Sequence, residues 1–238
     1  MKKIGILAFL LACVFLATAQ TTTVTDNNAR QRDLSGFTGI KVSSGIELLL
    51  QQGDKDAVAV SCSKPEYTDR IMTRVEGGVL KIYIEDKGNW NWRRNVKFKA
   101  YVSVKTLEKL TASSGAVVKT GSTINVGNLS LDASSGAIID ASFSGQHISS
   151  DNSSGSITTL KGSAESLTVE ASSGSIFKGY ELSTANCAAD ASSGGSITIT
   201  VTKELNAEAS SGGSINYKGG GVIRKLSTGS GGSVRSSS

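Results

Sequence analysis

The feature that most constrains this chain is a Ser-Ser-Gly triplet that recurs at a nearly constant interval. Six copies form one run, in which successive glycines are 21, 19, 19, 20 and 18 residues apart, and a degenerate copy, Gly229-Ser230-Gly231, follows 19 residues later. A period near 20 residues is typical of a solenoid, where each repeat is one structural unit stacked on its neighbours. The six copies of the run begin at Ser113, Ser134, Ser153, Ser172, Ser192 and Ser210.

Apolar or small residues alternate with polar ones on both sides of each triplet. Before the triplet the pattern is seen at Leu131 and Ala133, and an apolar residue two positions after the glycine, such as Ile138, begins a second run. Alternation with period 2 predicts strands with one buried face, and the triplet is then the corner between two strands. In the later repeats a second glycine follows, at Gly195 and Gly213, and we expect a positive φ angle there.

The repeat length fits one fold class. About 19 residues at ~3.3 Å each give a perimeter of about 60 Å, which suits a parallel β-helix with two or three short strands per coil. A leucine-rich repeat would show its Leu/Asn signature and a helical repeat a 3.6-residue period, and the sequence has neither. We therefore predict an all-β, right-handed parallel β-helix, because right-handed winding is the default for parallel connections.

The first 19 residues predict a secretory signal peptide. Lys2 and Lys3 form a basic start, an apolar stretch follows, and small residues precede a cleavage site after Ala19. The apolar stretch is too short for a membrane span, so we expect none in the mature chain. The alternative is a lipoprotein attached at Cys13, which ends a lipobox-like sequence inside the apolar stretch. Either processing route predicts an extracytoplasmic protein that is periplasmic, surface-bound or secreted.

The rest of the chain divides into a leader, one domain and a tail. Residues 33–110 lack the strict repeat but still alternate, whereas residues 111–232 hold the regular repeats. We predict irregular N-terminal coils, which could also supply the cap that a solenoid end requires. The divisions are a flexible polar leader over 20–32, a single β-helix domain over 33–232 and a polar tail over 233–238.

A series of short motifs precedes and enters the repeats. In order, they are Gly39-Ile40-Lys41-Val42, Gly45-Ile46-Glu47, Gln52-Gly53-Asp54, Gly78-Val79-Leu80-Lys81-Ile82 and Leu107-Glu108-Lys109-Leu110. This order resembles the head GIN domain family of auto-transporter adhesins, which is common in secreted proteins of Bacteroidetes; Glu47 replaces the asparagine of the family's Gly-Ile-Asn. The resemblance covers about residues 33–220. It implies a right-handed parallel β-helix, an extracytoplasmic location and no established catalytic residues.

Charge, cysteine and histidine content exclude several function classes. Loss of the signal peptide removes two lysines, so basic residues fall from 25 to 23 against 20 acidic ones, and the net charge falls from +5 to +3. This charge is too mild to indicate nucleic-acid binding. Cys62 and Cys187 lie in apolar alternation, which favours buried thiols over a disulfide. His147 is the only histidine and no Cys/His cluster has metal-site spacing, so we expect no cofactor and no enzyme.

A column of acidic residues is one candidate site. The residue four positions before the glycine is acidic in five consecutive repeats, and the alternation points these side chains outward. Stacking would place them ~4.8 Å apart, where neighbours repel by about 1 kcal/mol in water. The column could bind Ca²⁺ or act like the acidic groove of β-helix enzymes that cut polysaccharides, but we favour a solvated charged face that discourages aggregation. The column consists of Asp132, Asp151, Glu170, Asp190 and Glu208.

A tryptophan-rich segment is the other candidate site. Trp90 and Trp92 are the only tryptophans, Arg93 and Arg94 follow directly, and the preceding Gly-Asn pair predicts a loop tip. Aromatic side chains beside arginines are typical of binding sites, and tryptophan faces stack on sugar rings. The alternative is that one tryptophan caps the core while the arginines are solvated.

These observations predict a secreted, non-enzymatic β-helix that serves as an adhesin-like interaction module, with a glycan or a surface protein as its partner. One alternative is a carbohydrate-active enzyme that uses the acidic column, and another is a purely structural spacer. The enzyme is disfavoured because the positions beside the acids supply no proton-abstracting group. Those positions are Ser130, Ser149, Thr168 and Asn206.

Overall fold

The computed structural model describes residues 26–85 and 95–237. The fold is nearly all-β, with 17 strands and one short 3₁₀ helix in these residues, and hydrogen bonds join the strands into one sheet. Parallel strands stack on one another to form a solenoid of about 7 turns, which confirms the predicted fold class.

Nearly every strand has one face turned to the interior, as the alternating burial along β7 illustrates. The strands of the N-terminal part are β1 Arg30–Arg32, β2 Gly39–Val42, β3 Glu47–Gln52, β4 Ala57–Cys62, β5 Ile71–Glu76, β6 Val79–Ile84, β7 Phe98–Val104, β8 Lys109–Ala112 and β9 Val117–Thr120, with the 3₁₀ helix at Pro65–Arg70. The strands of the regular part are β10 Ile124–Ala133, β11 Ile138–Asn152, β12 Ile157–Ala171, β13 Ile176–Ala191, β14 Ser196–Ala209, β15 Ser214–Lys218, β16 Val222–Thr228 and β17 Ser233–Ser236.

From β11 to β14 the chain between two corners is a single long strand, whereas the repeat length predicted two or three short ones. β12, for example, begins after one Ser-Ser-Gly corner, ends before the next, and pairs in parallel with β11 and β13. The strand bends without breaking because the ladder shifts register, as between Thr159 and Lys161. Gly162 follows with a φ of 108°, and a Cβ there would lie 2.1 Å from the Phe143 carbonyl oxygen, so only glycine fits this bend.

Each corner is a turn whose two central residues both have left-handed backbone angles. At one corner φ is 52° at Ser135 and 71° at Gly136, and the Ala137 N–H donates to the Ser134 carbonyl oxygen at 3.1 Å. These are the features of a type I′ turn, which requires positive φ at both central positions. The left-handed conformation costs an L-residue roughly 1–2 kcal/mol, so the second serine of each triplet holds a strained angle.

The prediction of a positive φ angle at the second glycine of the later corners is wrong. In the corner that contains Gly195, the left-handed residues are Ser193 and Gly194, with φ angles of 47° and 75°. Gly195 is constrained by contact instead, because a Cβ there would lie 2.1 Å from the carbonyl oxygen of Ala171 in the preceding coil. Gly213 is constrained in the same way.

At the N-terminal end the order of coils in space differs from their order in the chain. β2 lies between β6 and β8, and β3 lies between β7 and β9, with all of these strands parallel. The coil formed by β6 and β7 is therefore outermost, although β2 and β3 come first in the sequence. The chain then passes to β8 at Glu108, whose N–H donates to the Thr38 carbonyl oxygen at 2.8 Å.

Antiparallel strands close this end of the solenoid. β5 pairs with β6, β4 pairs with β7, and β1 pairs with β4. The 3₁₀ helix between β4 and β5 buries Thr68 completely, and Tyr67 packs against the core. The outermost parallel coil is thus paired and covered, as a solenoid end must be to avoid open strand edges.

The opposite end is open among the described residues. Every residue of β16 is exposed, with exposed fractions of 58% at Val222, 39% at Ile223 and 49% at Leu226. Ile223 and Leu226 continue the register of Leu205 and Ala207, which are core residues one coil earlier. Their exposure follows because no further coil of the described chain packs on β16.

Candidate functional site

A groove of about 590 Å³ lies on the outer surface of the N-terminal end. Its lining comes from β1, β3, β4 and β7 and from the loop that follows β9. The outward side chains include Leu49, Ala57, Ala59 and Tyr101, so the lining is mainly apolar. A concave apolar surface with a few polar groups is the usual form of a binding site.

The groove exists because small side chains meet on neighbouring strands. Ala59 on β4 is opposite Tyr101 on β7, and Tyr101 is opposite Leu49 on β3. In the next outward-facing row, Ala57 is opposite Ser103. The three small side chains leave a depression beside the larger Tyr101 and Leu49, and the β-ladder fixes the positions of all five residues.

Tyr101 also holds the segment before β1, which borders the groove. Its hydroxyl donates a hydrogen bond to Asp26 Oδ2 at 2.7 Å, and Asn28 Nδ2 donates to the Cys62 carbonyl oxygen at 3.4 Å. The bond from Tyr101 lowers the pKa of Asp26, whereas burial, together with the Asp26 carboxylate, raises the pKa of Tyr101 to about 12. At neutral pH the pair is therefore a neutral phenol donating to a carboxylate.

A polar depression adjoins the groove at Ser122. Its volume is about 710 Å³, and its lining includes Gln52, Asp54, Lys105 and Asn125. The Asn125 N–H donates to Gln52 Oε1 at 2.9 Å, and Gln52 Nε2 donates to the Asn125 carbonyl oxygen at 3.1 Å, which fixes the amide. The groove and this depression together offer apolar and polar contacts on one continuous surface.

The tryptophan-rich segment predicted as a binding site lies outside the described residues. Its connections are defined, because β6 ends at Ile84 and β7 begins at Phe98 in the outermost coil. In the sequence the segment precedes β7, which supplies Tyr101 to the groove. The residues concerned are Trp90, Trp92, Arg93 and Arg94.

The acidic column has the register that the repeats predict. Asp132 pairs with Asp151, Asp151 with Glu170, Glu170 with Asp190, and Asp190 with Glu208 along successive strands. All five side chains lie on the outer surface. Both ends of the column have cationic partners outside it. Lys109 Nζ lies 3.7 Å from Asp132 Oδ2 and Lys225 Nζ contacts Glu208 Oε1.

This geometry is that of a charged face. Among the residues that the structure describes, no three Asp, Glu, His or Cys side chains converge where they could hold a metal ion. The outward row beside the acids carries hydroxyl, methyl and amide side chains, which are poor proton-abstracting bases. That row consists of Ser130, Ser149, Thr168, Ala188 and Asn206. Calcium binding and catalysis by the column therefore stay hypotheses.

Sequence reasoning misses both the groove and a row of apolar side chains on the outer surface. Strands begin after each corner as predicted, but Ile138 is 40% exposed, and its neighbours Ala137 and Ile139 face the interior instead. Consecutive apolar residues are the signal that could have found these positions, because one member of such a pair must point outward. Leu49, inside the run Leu48-Leu49-Leu50, is the same case in the groove. The outer row consists of Val117, Ile138, Ile157 and Ile176.

The cysteines and the histidine of the described residues are buried or hydrogen-bonded. Cys62 and Cys187 are free, buried thiols, as predicted. Burial raises the pKa of Cys187 to about 12, which suppresses the thiolate. His147 Nδ1 lies 2.6 Å from Ser166 Oγ in the neighbouring coil, so the imidazole has a hydroxyl partner.

The model of one protein family, described as "Putative auto-transporter adhesin, head GIN domain", matches residues 36–221. This chain belongs to that family. The match begins just before β2 and ends just before β16, so it includes β3, β4 and β7 of the groove. The resemblance inferred from the motifs between residues 39 and 110 is confirmed.

Solved structures share the fold of this head GIN protein. A structure named a putative adhesin, from Bacteroides fragilis, has 18% identity and a TM-score of 0.79, over 88% of this chain and 96% of that one. Two structures from Parabacteroides distasonis also match over 88% of this chain and 96% of theirs. One is named a putative lipid binding protein and has 19% identity and a TM-score of 0.63, and the other is named a putative adhesin and has 18% identity and a TM-score of 0.64. No curated protein is detectably similar in sequence. In the described part of the chain, no helix has the length and hydrophobicity that a membrane span requires.

Proposed function

We propose that this head GIN protein is an extracytoplasmic, non-enzymatic interaction module of the adhesin type. The partner is a glycan or a surface protein, and it binds at the N-terminal end of the solenoid, residues 26–104, which we call the head. The description of the family and the name of the Bacteroides fragilis structure support an adhesin. The predicted signal peptide, cleaved after Ala19, supports the location.

The observation that carries this proposal is the groove on the outer surface of the head. Tyr101 and Leu49 belong to strands that are paired on both sides, so their positions are fixed before a ligand binds. Preorganisation of this kind favours binding because few side chains lose freedom when the complex forms. An aromatic ring beside a floor of small apolar side chains suits the apolar face of a sugar ring or a partner's apolar side chain.

The protonation state of Tyr101, which lines the groove, supports binding rather than catalysis. Among the described lining residues, Tyr101 is the one titratable group. Its pKa of about 12 keeps the phenol neutral at physiological pH, whereas a general base is most effective with a pKa near the working pH. The phenol is also committed to Asp26 as a hydrogen-bond donor.

The tryptophan-rich segment is proposed as a second contact region of the head. Trp90 and Trp92 would supply stacking faces, and Arg93 and Arg94 would supply charged hydrogen-bond donors for sugars or acidic surfaces. The sequence order supports this role, because the segment precedes β7 and β7 lines the groove.

The test uses the mature chain, from Gln20, on a glycan array and against candidate surface proteins. Ala59→Trp fills the groove, and Ser183→Trp places the same side chain on the exposed surface of β13 as a matched control. We expect Ala59→Trp to weaken binding by at least about tenfold, whereas Ser183→Trp binds normally. Melting temperatures of both variants near that of the unmodified chain show that the fold is intact.

Different outcomes separate the two contact regions. Loss of binding in Trp90→Ala with Trp92→Ala, but not in Ala59→Trp, would move the site from the groove to the segment. Normal binding both by Ala59→Trp and by the double tryptophan variant would contradict a binding site in the head.

The polar depression beside the groove favours a second candidate, a ligand with an acyl chain and a polar headgroup. The apolar groove would take the chain, and Lys105 and Asn125 would contact the headgroup. The name of the putative lipid binding protein from Parabacteroides distasonis accords with this chemistry. Binding of a fluorescent fatty acid that Ala59→Trp abolishes would support this candidate. Absence of binding at any concentration below micelle formation would reject it.

A further inference from the structure

One coil of the regular solenoid has a polar interior. Four residues around the corner at 153–155 point inward, namely Ser150 and Asn152 before it and Ser156 and Thr158 after it. Ser150 is 2% exposed and the other three are completely buried. We call these four residues the polar layer.

Apolar layers enclose the polar layer on both sides. Along the strands, Ser150 lies between Leu131 and Val169, and Thr158 lies between Ile139 and Phe177. The equivalent four residues are Leu131, Ala133, Ala137 and Ile139 in the preceding coil, and Val169, Ala171, Ser175 and Phe177 in the following one. The interior therefore changes from apolar to polar for one coil and then back again, with Ser175 as the single polar neighbour.

The hydrogen bonds of Asn152 fix the orientation of its amide. Asn152 Nδ2 donates to the Glu170 carbonyl oxygen at 3.0 Å and to Ser150 Oγ at 3.1 Å. A carbonyl oxygen can only accept, so the atom that faces Glu170 must be the nitrogen. Asn152 Oδ1 consequently points elsewhere in the interior, and it has no hydrogen-bond partner.

Two hydroxyl groups of the same layer share this property. Ser156 Oγ and Thr158 Oγ1 are buried and have no partner, whereas Ser175 Oγ, one coil further on, donates to the Asn152 carbonyl oxygen at 2.8 Å. Buried polar atoms without partners are rare in folded proteins because each one loses its hydration. Three such atoms on four neighbouring inward positions leave this one layer short of hydrogen-bond partners within the protein.

We propose that the polar layer is an internal hydration site, in which water bound inside the solenoid bridges Asn152 Oδ1, Ser156 Oγ and Thr158 Oγ1. A buried water typically makes about three hydrogen bonds to polar groups that are otherwise unsatisfied, which is the number offered here. Water donates to the amide oxygen, and it donates to or accepts from either hydroxyl.

The chemistry of the layer selects water over a cation. The three atoms are neutral oxygens, and the layer contains no carboxylate that could compensate a buried positive charge. Moving an uncompensated ion into an apolar interior is far more costly than moving a neutral molecule. A hydroxyl group can also donate a hydrogen bond, which a water molecule can accept and a cation cannot.

The direct test is a crystal structure of the mature protein grown in rubidium chloride, at a resolution that defines ordered water. We expect a density peak about 2.7–3.2 Å from Asn152 Oδ1 and from at least one of the two hydroxyls, without rubidium anomalous signal. An anomalous peak would show that a cation occupies the site and would contradict a hydration site. A layer with no density peak would also overturn the proposal. In solution, the amide protons of Asn152 and Ser156 should show an NOE to long-lived water, and its absence would also count against the site.

Variants test the layer independently of crystals. Ser150→Leu, Asn152→Ala, Ser156→Ala and Thr158→Ile together copy the preceding coil, and we expect this variant to lose the water and keep or raise Tm, by up to a few °C. Asn152→Ala alone should lower Tm because it removes the donor to Ser150 Oγ and to the Glu170 carbonyl oxygen, and one of the three groups that hold the water. The matched control, Ala112→Asn, puts the same amide into an apolar layer, between Val42 and Ala133 of the neighbouring coils, and should lower Tm by several °C. An unchanged Tm for this control would show that any coil tolerates a buried amide and would contradict a specific site.

Discussion

The backbone N–H of Gly136 donates a hydrogen bond to the carbonyl oxygen of Ser154, one coil further along the solenoid, across 3.1 Å. The corresponding bonds run from Gly115 to Ser135 and from Gly155 to Ser173, at 3.0 and 3.1 Å. The corners therefore form one stacked column that continues the β-ladder through the turn. The strained second serine is held in place by these bonds, because its carbonyl oxygen accepts from the preceding corner.

The first prediction concerns the left-handed serine of the corner. Ser154 has a φ of 50° and an exposed side chain, so Ser154→Val changes the backbone preference without removing a core contact. A β-branched residue strongly disfavours this conformation, and we expect a loss of about 1–2 kcal/mol in the free energy of unfolding. Ser183→Val, at an exposed strand position, is the control and should be neutral or slightly stabilising. Equal losses in chemical denaturation of the two variants would contradict the turn geometry.

The second prediction concerns the second glycine of the later corners. Gly195→Ala places a Cβ 2.1 Å from the Ala171 carbonyl oxygen, so the two coils must separate locally. We expect a loss of about 1–3 kcal/mol, as for other overpacked sites. Gly220→Ala is the control, because a Cβ there meets no atom within 4 Å and φ is not positive. Denaturation midpoints that shift equally for both variants would show that close coil contact does not require this glycine.

The third prediction concerns the acidic column. Millimolar Ca²⁺ should leave the melting temperature unchanged, because the described carboxylates form no convergent metal group and lysines neutralise both ends of the column. A ligand that bound only the folded state would raise Tm by mass action. A calcium-dependent rise that Asp151→Asn with Glu170→Gln abolishes would show that the column binds the ion.

The regular part of the fold could be predicted because its signals are local. Each triplet specifies a corner, and the period-2 alternation on either side specifies strands and the outward row of acids. The error at Gly195 has a physical reason: glycine is the usual residue at positive φ, and the sequence does not show that the neighbouring backbone excludes a Cβ.

The head could be predicted only in part because it depends on pairings between distant residues. Alternation indicates that β2 and β6 are strands, but it does not specify that β6 lies outside β2. The groove has the same origin, since Ala59, Tyr101 and Leu49 come together through one antiparallel and one parallel pairing. Ser150 and Asn152 interrupt columns of apolar and small residues in the repeats, but the sequence pattern does not specify which of their polar atoms lack a partner.

The last prediction concerns the bond between Tyr101 and Asp26. Tyr101→Phe removes the main cause of the lowered Asp26 pKa, leaving the weaker contributions of Ser61 and Asn28, so the pKa should return toward its usual value. The folded-state pKa of Asp26 lies below the usual 3.8. The bond therefore stabilises the segment before β1 fully above pH 3.8, and this stabilisation is lost as the pH falls through the lower folded-state pKa. We expect faster hydrogen exchange at the amide of Asn28, which donates to Asp26 Oδ1 at 3.0 Å, with little change in Tm because the segment is peripheral. Tyr83→Phe, on β6, is the control and should leave this exchange unchanged. If exchange at Asn28 is the same in both variants at neutral pH, the segment is held by other contacts, and Tyr101 does not organise this side of the groove.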